Sequence, residues 1–242
     1  MLIYNLVDKN IYWLKEIQYP GRGIVVGATG DAKYGVQVYW LMGRSGVSKN
    51  RRLIEEPKGI VKTILADPNK HDGDSSLLFY TALQKTKEYE IVSNGDQTET
   101  IINGIDAGKS FIESFGTRDV EPDAPHFTSR IAGILTLSQK KPKYELAIVK
   151  SYGRKNNLSS LQHFSYKEFV EGWGHCITTY NGNINPLPCF KGEPFLVRIP
   201  NEPEEVLKFY WNKLNEVFRI AIAVKFVDLI TNEVKINIFN KF

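Results

Sequence analysis

The chain is poor in the residues that most often announce chemistry. Of its 242 residues only two are cysteine, Cys176 and Cys189. Neither stands in a CxxC or Cys/His spacing, which argues against a disulfide framework and a thiolate metal site, and reduced, incidental thiols in a cytoplasmic protein are expected. The four histidines are His71, His126, His163 and His175. None pairs at i, i+4 with an acid on a helix, and no Ser-His-Asp order is evident; they read as non-ligands, with His126 nearest the expected chemistry. Position 2 is leucine, so removal of Met1 exposes no Ser, Thr or Cys as an N-terminal nucleophile. Long apolar runs are also missing. The stretch 220–224 is far too short to cross a bilayer, and residues 1–10 lack the basic and apolar regions of a signal peptide. A net charge of +4 is thinly spread apart from Lys140-Lys-Pro-Lys143, which reads as a solvated hairpin turn, and it does not suggest nucleic-acid binding.

What is present is strand-rich. Strands are expected at 23–27 and 36–42, flanking a hairpin turn at 29–33, and at 60–65, 77–83 and 89–92. Residues 131–138 and 144–151 form a second hairpin across the lysine turn, and 218–227 pairs with 233–239 through Thr231-Asn232. Asp96, with Glu99 three residues on, starts a helix whose apolar face is Ile101, Ile105, Gly108, Ile112 and Phe115. Ser165 is expected to cap a helix through Phe169, and Pro203 suits the first turn of another running to about Leu214. Strands outnumber helices roughly three to one, neighbours are antiparallel, and no composition shift marks a boundary. The expectation is one α+β domain over 1–242.

Nine arginines stand against 22 lysines, and five of the nine (Arg22, Arg44, Arg51, Arg52 and Arg130) fall in or beside irregular segments. A planar donor fork suits phosphate or carboxylate, so this placement hints at an anionic ligand. Tyr19-Pro-Gly-Arg-Gly23 frees the backbone around Arg22. Gly43-Arg-Ser-Gly-Val-Ser-Lys-Asn-Arg-Arg52 follows a strand end with many donors for phosphate oxygens. Asn94 and Thr98 flank a helix start suited to an anion or a carbonyl oxygen. Glu121-Pro-Asp-Ala-Pro-His-Phe-Thr-Ser-Arg130 combines two carboxylates, two prolines and an arginine in a stretch with no helix or strand period. Its prolines predict a rigid, ordered loop, whose charges alternatively cap neighbouring strands. Residues 178–194 have the Pro/Gly-rich composition of a binding loop. Gly104-Ile-Asp-Ala-Gly-Lys-Ser110 is one residue short of a phosphate-binding glycine loop and lies inside a helical period, which argues against that role.

Taken together, Tyr19-Pro-Gly-Arg-Gly, Gly43-Arg-Ser-x-x-Ser-x-Asn-Arg, Asn94-Gly-Asp-Gln-Thr, Glu121-Pro-Asp-Ala-Pro-x-Phe-Thr-x-Arg-Ile and Pro186-Leu-Pro-x-Phe-x-Gly-Glu-Pro resemble the archaeal-type IMP cyclohydrolase family, in that family's order. Ser129 stands where the family's Thr-Pro-Arg-Ile stretch has proline, and nothing beyond Pro194 matches. The resemblance implies closure of a formamido-carboxamide imidazole ribonucleotide to inosine monophosphate with loss of water. It also implies a four-layer αββα fold of the N-terminal-nucleophile-hydrolase type without self-processing, and no cofactor. For that reaction Arg22, Arg44 and Arg51 are the candidates for the 5′-phosphate and for positioning the base, with Arg51 also counted in the catalytic set. Glu121 or Asp123 is the proton carrier, kept ionised by Arg130. Tyr80 serves the reacting oxygen, or else simply packs in the core. Asn94 and Asp96 hold substrate amide or carbonyl groups, and Arg130 is counted among the substrate-binding residues. The expected partner is a small purine nucleotide, with no nucleic acid and no membrane, and homo-oligomer formation stays open. Two other readings are a non-catalytic purine-nucleotide binding protein and an amidohydrolase of related fold.

Overall fold

The computed structural model describes residues 2–70, 77–138, 143–152 and 158–242; His71 and residues 140–142 of the expected lysine turn lie outside them. Strands β1 (Gly23–Ala28) and β2 (Tyr34–Met42) form an antiparallel hairpin in the register Gly23↔Trp40 to Ala28↔Gly35. Nearly every residue of both is buried, and the sequence accordingly runs apolar without alternating. After this hairpin the chain lays down seven strands in order: β3 (Arg51–Glu56), β4 (Ile60–Leu65), β5 (Thr81–Thr86), β6 (Tyr89–Ser93), β7 (Arg130–Thr136), β8 (Tyr144–Ser151) and β9 (Ser159–Tyr166). They pair as an antiparallel meander. The chain then returns to the hairpin. β10 (Trp173–Thr178) and β11 (Phe195–Arg198) extend it beside β1, and β12 (Arg219–Asp228) and β13 (Val234–Asn240) extend it beside β2. The result is a six-stranded antiparallel sheet ordered β11-β10-β1-β2-β12-β13.

The two sheets pack face to face over Ile24, Val26, Tyr39 and Leu41 on one side and Leu83, Val92, Leu146 and Ile148 on the other. The intervening Val25, Val38 and Trp40 point the opposite way, as the two-residue side-chain period requires. There they meet α1 (Leu2–Glu16) and α5 (Pro203–Trp211) through Leu14, Val206 and Tyr210. On the outer face of the seven-stranded sheet, α3 (Gln97–Asp106) and α4 (Phe111–Phe115) cover Ala132 and Ile134 with Ile101, Phe111 and Phe115. The fold is therefore α+β, with helices outside both large sheets. Each large aliphatic side chain sealed in these layers contributes about 1.5–3 kcal/mol. Cys176 on β10 is sealed beneath the α1/α5 layer, whereas Cys189, in the loop before β11, is partly exposed. No helix among the described residues is long and apolar enough to cross a membrane.

Polar contacts also join the sheets across this apolar interior, among them Gln37 Nε2 of β2, which donates to the Glu90 carbonyl of β6 at 3.0 Å. Lys225 on β12 is fully buried and donates to Glu90 Oε2 of β6 at 2.5 Å and to the Gly59 carbonyl at 3.0 Å. Tyr144 on β8 bonds His175 Nδ1 on β10 at 2.6 Å. The hydroxyls of Tyr39 and Tyr80 lie 2.6 Å apart.

Several expectations are corrected. The helix expected from Asp96 through Phe115 is two helices. Gly108, at φ +87°, ends the first, and Ser110 with Glu113 forms the capping box of the second. Asp96 makes no side-chain cap and Glu99 no capping box, because Arg118 and Arg130 claim the carboxylate. Ser165 does not start a helix. It lies in β9, where Tyr166 stacks on Tyr144 and on His175 at centroid distances of 4.6 and 3.9 Å, and that stack holds the chain extended. The strand expected at 77–83 begins only at Thr81, which leaves Tyr80 just before it, and α5 stops at Trp211 rather than Leu214. Helices α1 and α2 (Gly46–Lys49) and strands β3, β10 and β11 were not anticipated.

Candidate active site

At the end of the sandwich where β1 begins and β2 ends, the connections 43–50, 116–129 and 179–194 surround a pocket of about 370 Å³. Its wall at β1 is built by two close approaches. Gly21 is at φ +73°, and a Cβ there would lie 2.2 Å from Thr179 Oγ1; a Cβ on Gly23 would meet the Trp40 indole at 1.9 Å. Trp40 Nε1 donates to the Gly21 carbonyl at 3.1 Å, and the Arg22 amide donates to Thr179 Oγ1 at 3.1 Å. Arg22 is thereby fixed with its guanidinium in the pocket wall. Nη1 donates to the Asn94 carbonyl at 3.1 Å and Nη2 to Glu121 Oε2 at 3.0 Å.

Glu121 is only 3 % exposed. Burial pushes its carboxyl above the ordinary carboxylate range, against the opposing pull of Arg22. The proline loop is as ordered as its sequence predicts. Glu121 N–H donates to the Thr128 carbonyl at 3.0 Å, and His126 N–H to the Asp123 carbonyl at 3.0 Å. Asp123 closes the turn with both carboxylate oxygens, Oδ1 accepting Thr128 N–H at 2.6 Å and Oδ2 the Thr128 hydroxyl. Having given its proton to the carboxylate, Thr128 accepts from the Tyr180 hydroxyl, which burial holds in its protonated form. Tyr180 stacks on Tyr19 at 5.8 Å, and both rings line the pocket.

The outer wall is cationic. Arg44 is half-buried, lies over the Tyr19 ring at 5.4 Å and reaches Asn183 Oδ1 and His126 Nε2, each at 3.3 Å. Arg51, at the start of β3, is buried. It clamps the preceding segment by donating from Nε to the Ser48 carbonyl at 2.8 Å and from Nη2 to the Met42 carbonyl at 3.1 Å, while Nη1 is buried with no partner. A buried, unpaired guanidinium nitrogen is costly, roughly 1–3 kcal/mol, and an anion in the pocket is the natural group to relieve it.

Arg22, Arg44, Arg51, Glu121 and Asp123 all line this one pocket although they span a hundred residues of chain. A family model described as IMP cyclohydrolase-like protein matches residues 19–232. The chain belongs to that family. No curated protein matches it. The family match reaches beyond Pro194 into β12, past the last of the five sequence motifs.

Other residues that the family resemblance brought forward stand behind the pocket rather than in it. Asn94 is fully buried, and its side chain is consumed within the fold: Nδ2 donates to the Ser129 carbonyl at 3.0 Å, and Oδ1 accepts from Ile131 N–H and from Gln97 Nε2, each at 2.7 Å. This pins the start of β7 despite serine at position 129. Arg130 donates from Nε to the Asp119 carbonyl at 2.8 Å and from Nη1 to Asp96 at 2.5 Å and Gln97 Oε1 at 2.7 Å. Burial pushes the Asp96 carboxyl up, but Arg130 and Arg118 outweigh it and hold the group below its ordinary range. Tyr80 is buried against Tyr39. The basic segment splits as well, since Arg52 points to solvent. Conversely, Tyr19, Thr128 and Tyr180 were not singled out from sequence. Tyr19 and Thr128 lie within matched motifs, which is the signal that marked their neighbourhood.

Proposed function

We propose that this chain closes 5-formamidoimidazole-4-carboxamide ribonucleotide to inosine 5′-monophosphate. The observation that carries the reading is the buried Arg22–Glu121 pair in the wall of an arginine-lined pocket, in a chain of this family. The carboxamide nitrogen attacks the formyl carbon, forming the ring C–N bond and a carbinolamine, whose hydroxyl then leaves as water. Glu121 carries the proton from the attacking carboxamide nitrogen to the former formyl oxygen, and in the second step carries the formamido N–H proton to the hydroxyl, which leaves as water. Arg22 steadies the charge that builds on the former formyl oxygen. The Asp123–Thr128–Tyr180 chain holds the wall against which the base lies, so the two reacting groups stay in contact. Arg44 and Arg51 meet the 5′-phosphate. The helix–sheet–sheet–helix layering supports a fold of the N-terminal-nucleophile-hydrolase type.

Purified protein mixed with the formylated ribonucleotide is expected to develop the absorbance of inosine 5′-monophosphate. Tight binding of that nucleotide with no turnover would instead favour a nucleotide-binding protein. Neither binding nor turnover would remove the nucleotide reading altogether.

A further inference from the structure

Two contacts of His126 cannot both be hydrogen bonds. The Leu187 amide donates to Nδ1 at 3.2 Å, and Arg44 Nη2, also a donor in every protonation state, stands 3.3 Å from Nε2. A neutral imidazole has a single acceptor nitrogen. Leu187 is buried, and its amide cannot turn to water. Arg44 is half-buried and keeps Asn183 and the Tyr19 ring as partners. The Leu187 contact therefore prevails: Nδ1 keeps its lone pair and Nε2 carries the proton. Protonating the ring does not resolve the conflict, because a second N–H would then face the Leu187 amide. Burial and the neighbouring Arg44 accordingly hold His126 below its ordinary range, with Asp123 opposing them. The outcome is an N–H donor and a guanidinium facing each other, with no acceptor between them among the described residues.

Apposed donors beside a buried guanidinium nitrogen without a partner describe a seat for an anion. We propose that His126 Nε2–H and Arg44 together grip a phosphate monoester, which makes His126 a substrate-binding residue of this pocket. Each donor can take its own phosphate oxygen once the half-buried Arg44 swings aside. Two arginines match a dianion better than the single charge of a carboxylate. Asp123, whose charge acts on His126, competes little because Thr128 occupies both its oxygens. Only the identity of the molecule carrying the phosphate rests on the nucleotide reading above.

Two substitutions separate the two ring nitrogens. His126→Asn places an amide oxygen where Nδ1 accepts from Leu187 but leaves no donor at the Nε2 position; His126→Gln reaches the Nε2 position with an N–H. Calorimetry with inosine 5′-monophosphate, inosine and inorganic phosphate is expected to show His126→Asn weakening both phosphates about tenfold or more, with inosine unchanged and with His126→Gln recovering most of the loss. Nitrogen-15 spectra of the unsubstituted protein are expected to show a protonated Nε2, shifted on adding inorganic phosphate. A protonated Nδ1, or equal losses for inosine and its monophosphate in His126→Asn, would overturn the proposal. Inorganic phosphate bound through His126 with no nucleotide binding would support the anion seat and sink the nucleotide reading. Nucleotide binding indifferent to both substitutions would do the reverse.

Discussion

Glu121 and Asp123 lie two residues apart on one loop, and their surroundings give them different work. Among the described residues Glu121 bonds Arg22 through one carboxylate oxygen and keeps the other clear, whereas Asp123 spends both on Thr128. Glu121→Gln is therefore expected to lower kcat by about 10²–10⁴ with nucleotide binding retained. Because burial raises the Glu121 carboxyl, the acid limb of the wild-type pH–rate profile should lie above the titration of an exposed glutamate and vanish in the variant. Asp123→Asn should chiefly loosen the loop. If Asp123→Asn is dead while Glu121→Gln turns over normally, the two roles must be exchanged. Arg51 combines an unpaired Nη1 with two backbone clamps. Its replacement by alanine should raise KM about tenfold or more with kcat little changed, and should also loosen segment 43–50. Arg51→Lys should recover part of the affinity but not the clamp, which limited proteolysis of that segment would report. A fall in kcat of about a hundredfold at constant KM would move Arg51 to the reacting atoms.

At the scale of elements, the contact between β8 and β10 is acid-sensitive. Burial pushes His175 down to about 4 while Tyr144 donates to its Nδ1. The unfolded chain, with an ordinary histidine near 6.5, binds the extra proton first as pH falls. The stability from keeping His175 neutral is thus fully present above about 6.5 and is lost progressively down to about 4, a loss on the order of 2–3 kcal/mol. Denaturant titrations across that window should show the decline, and His175→Gln should flatten it.

Elements also show what the sequence disclosed. The hairpin strands, β4, β6, β8, β12 and β13 were legible because apolar runs end there at turn residues. Helix α1 was not: it buries Val7 and Leu14 yet exposes Ile3, Tyr4, Leu6 and Tyr12, so no clean stripe marks it. Asp96 misled because capping and ion pairing use the same residue types, and the choice depends on arginines that arrive only with folding. Glu121 and Asp123, which line the pocket, share one contiguous motif with Arg130, which does not, and Asn94 stands in another motif of the same set. Composition alone does not tell a side chain aimed at a ligand from one spent on backbone carbonyls.

For the whole molecule, the buried Lys225–Glu90 pair governs how the two sheets meet. Glu90 Oε1 and the nearby Gln37 Oε1 are buried without a hydrogen-bond partner, so the cluster pays desolvation that apolar packing would avoid. Lys225→Met or Glu90→Leu alone is expected to cost about 3–5 kcal/mol by stranding a charge. The double replacement should cost far less than the sum, or stabilise. Simple additivity in denaturant melts would show that the pair is not coupled.

The two cysteines give the fold its own stopwatch. A thiol reagent in mild alkali should modify Cys189 on mixing, while Cys176, sealed beneath α1 and α5 and with its thiol pushed up by burial, reacts only when those layers part. The slow phase then times the opening of the six-stranded sheet without denaturant and without an engineered label. Lengthening of that phase by bound nucleotide would measure how far the pocket at one end of the sandwich braces the helices on its outer face.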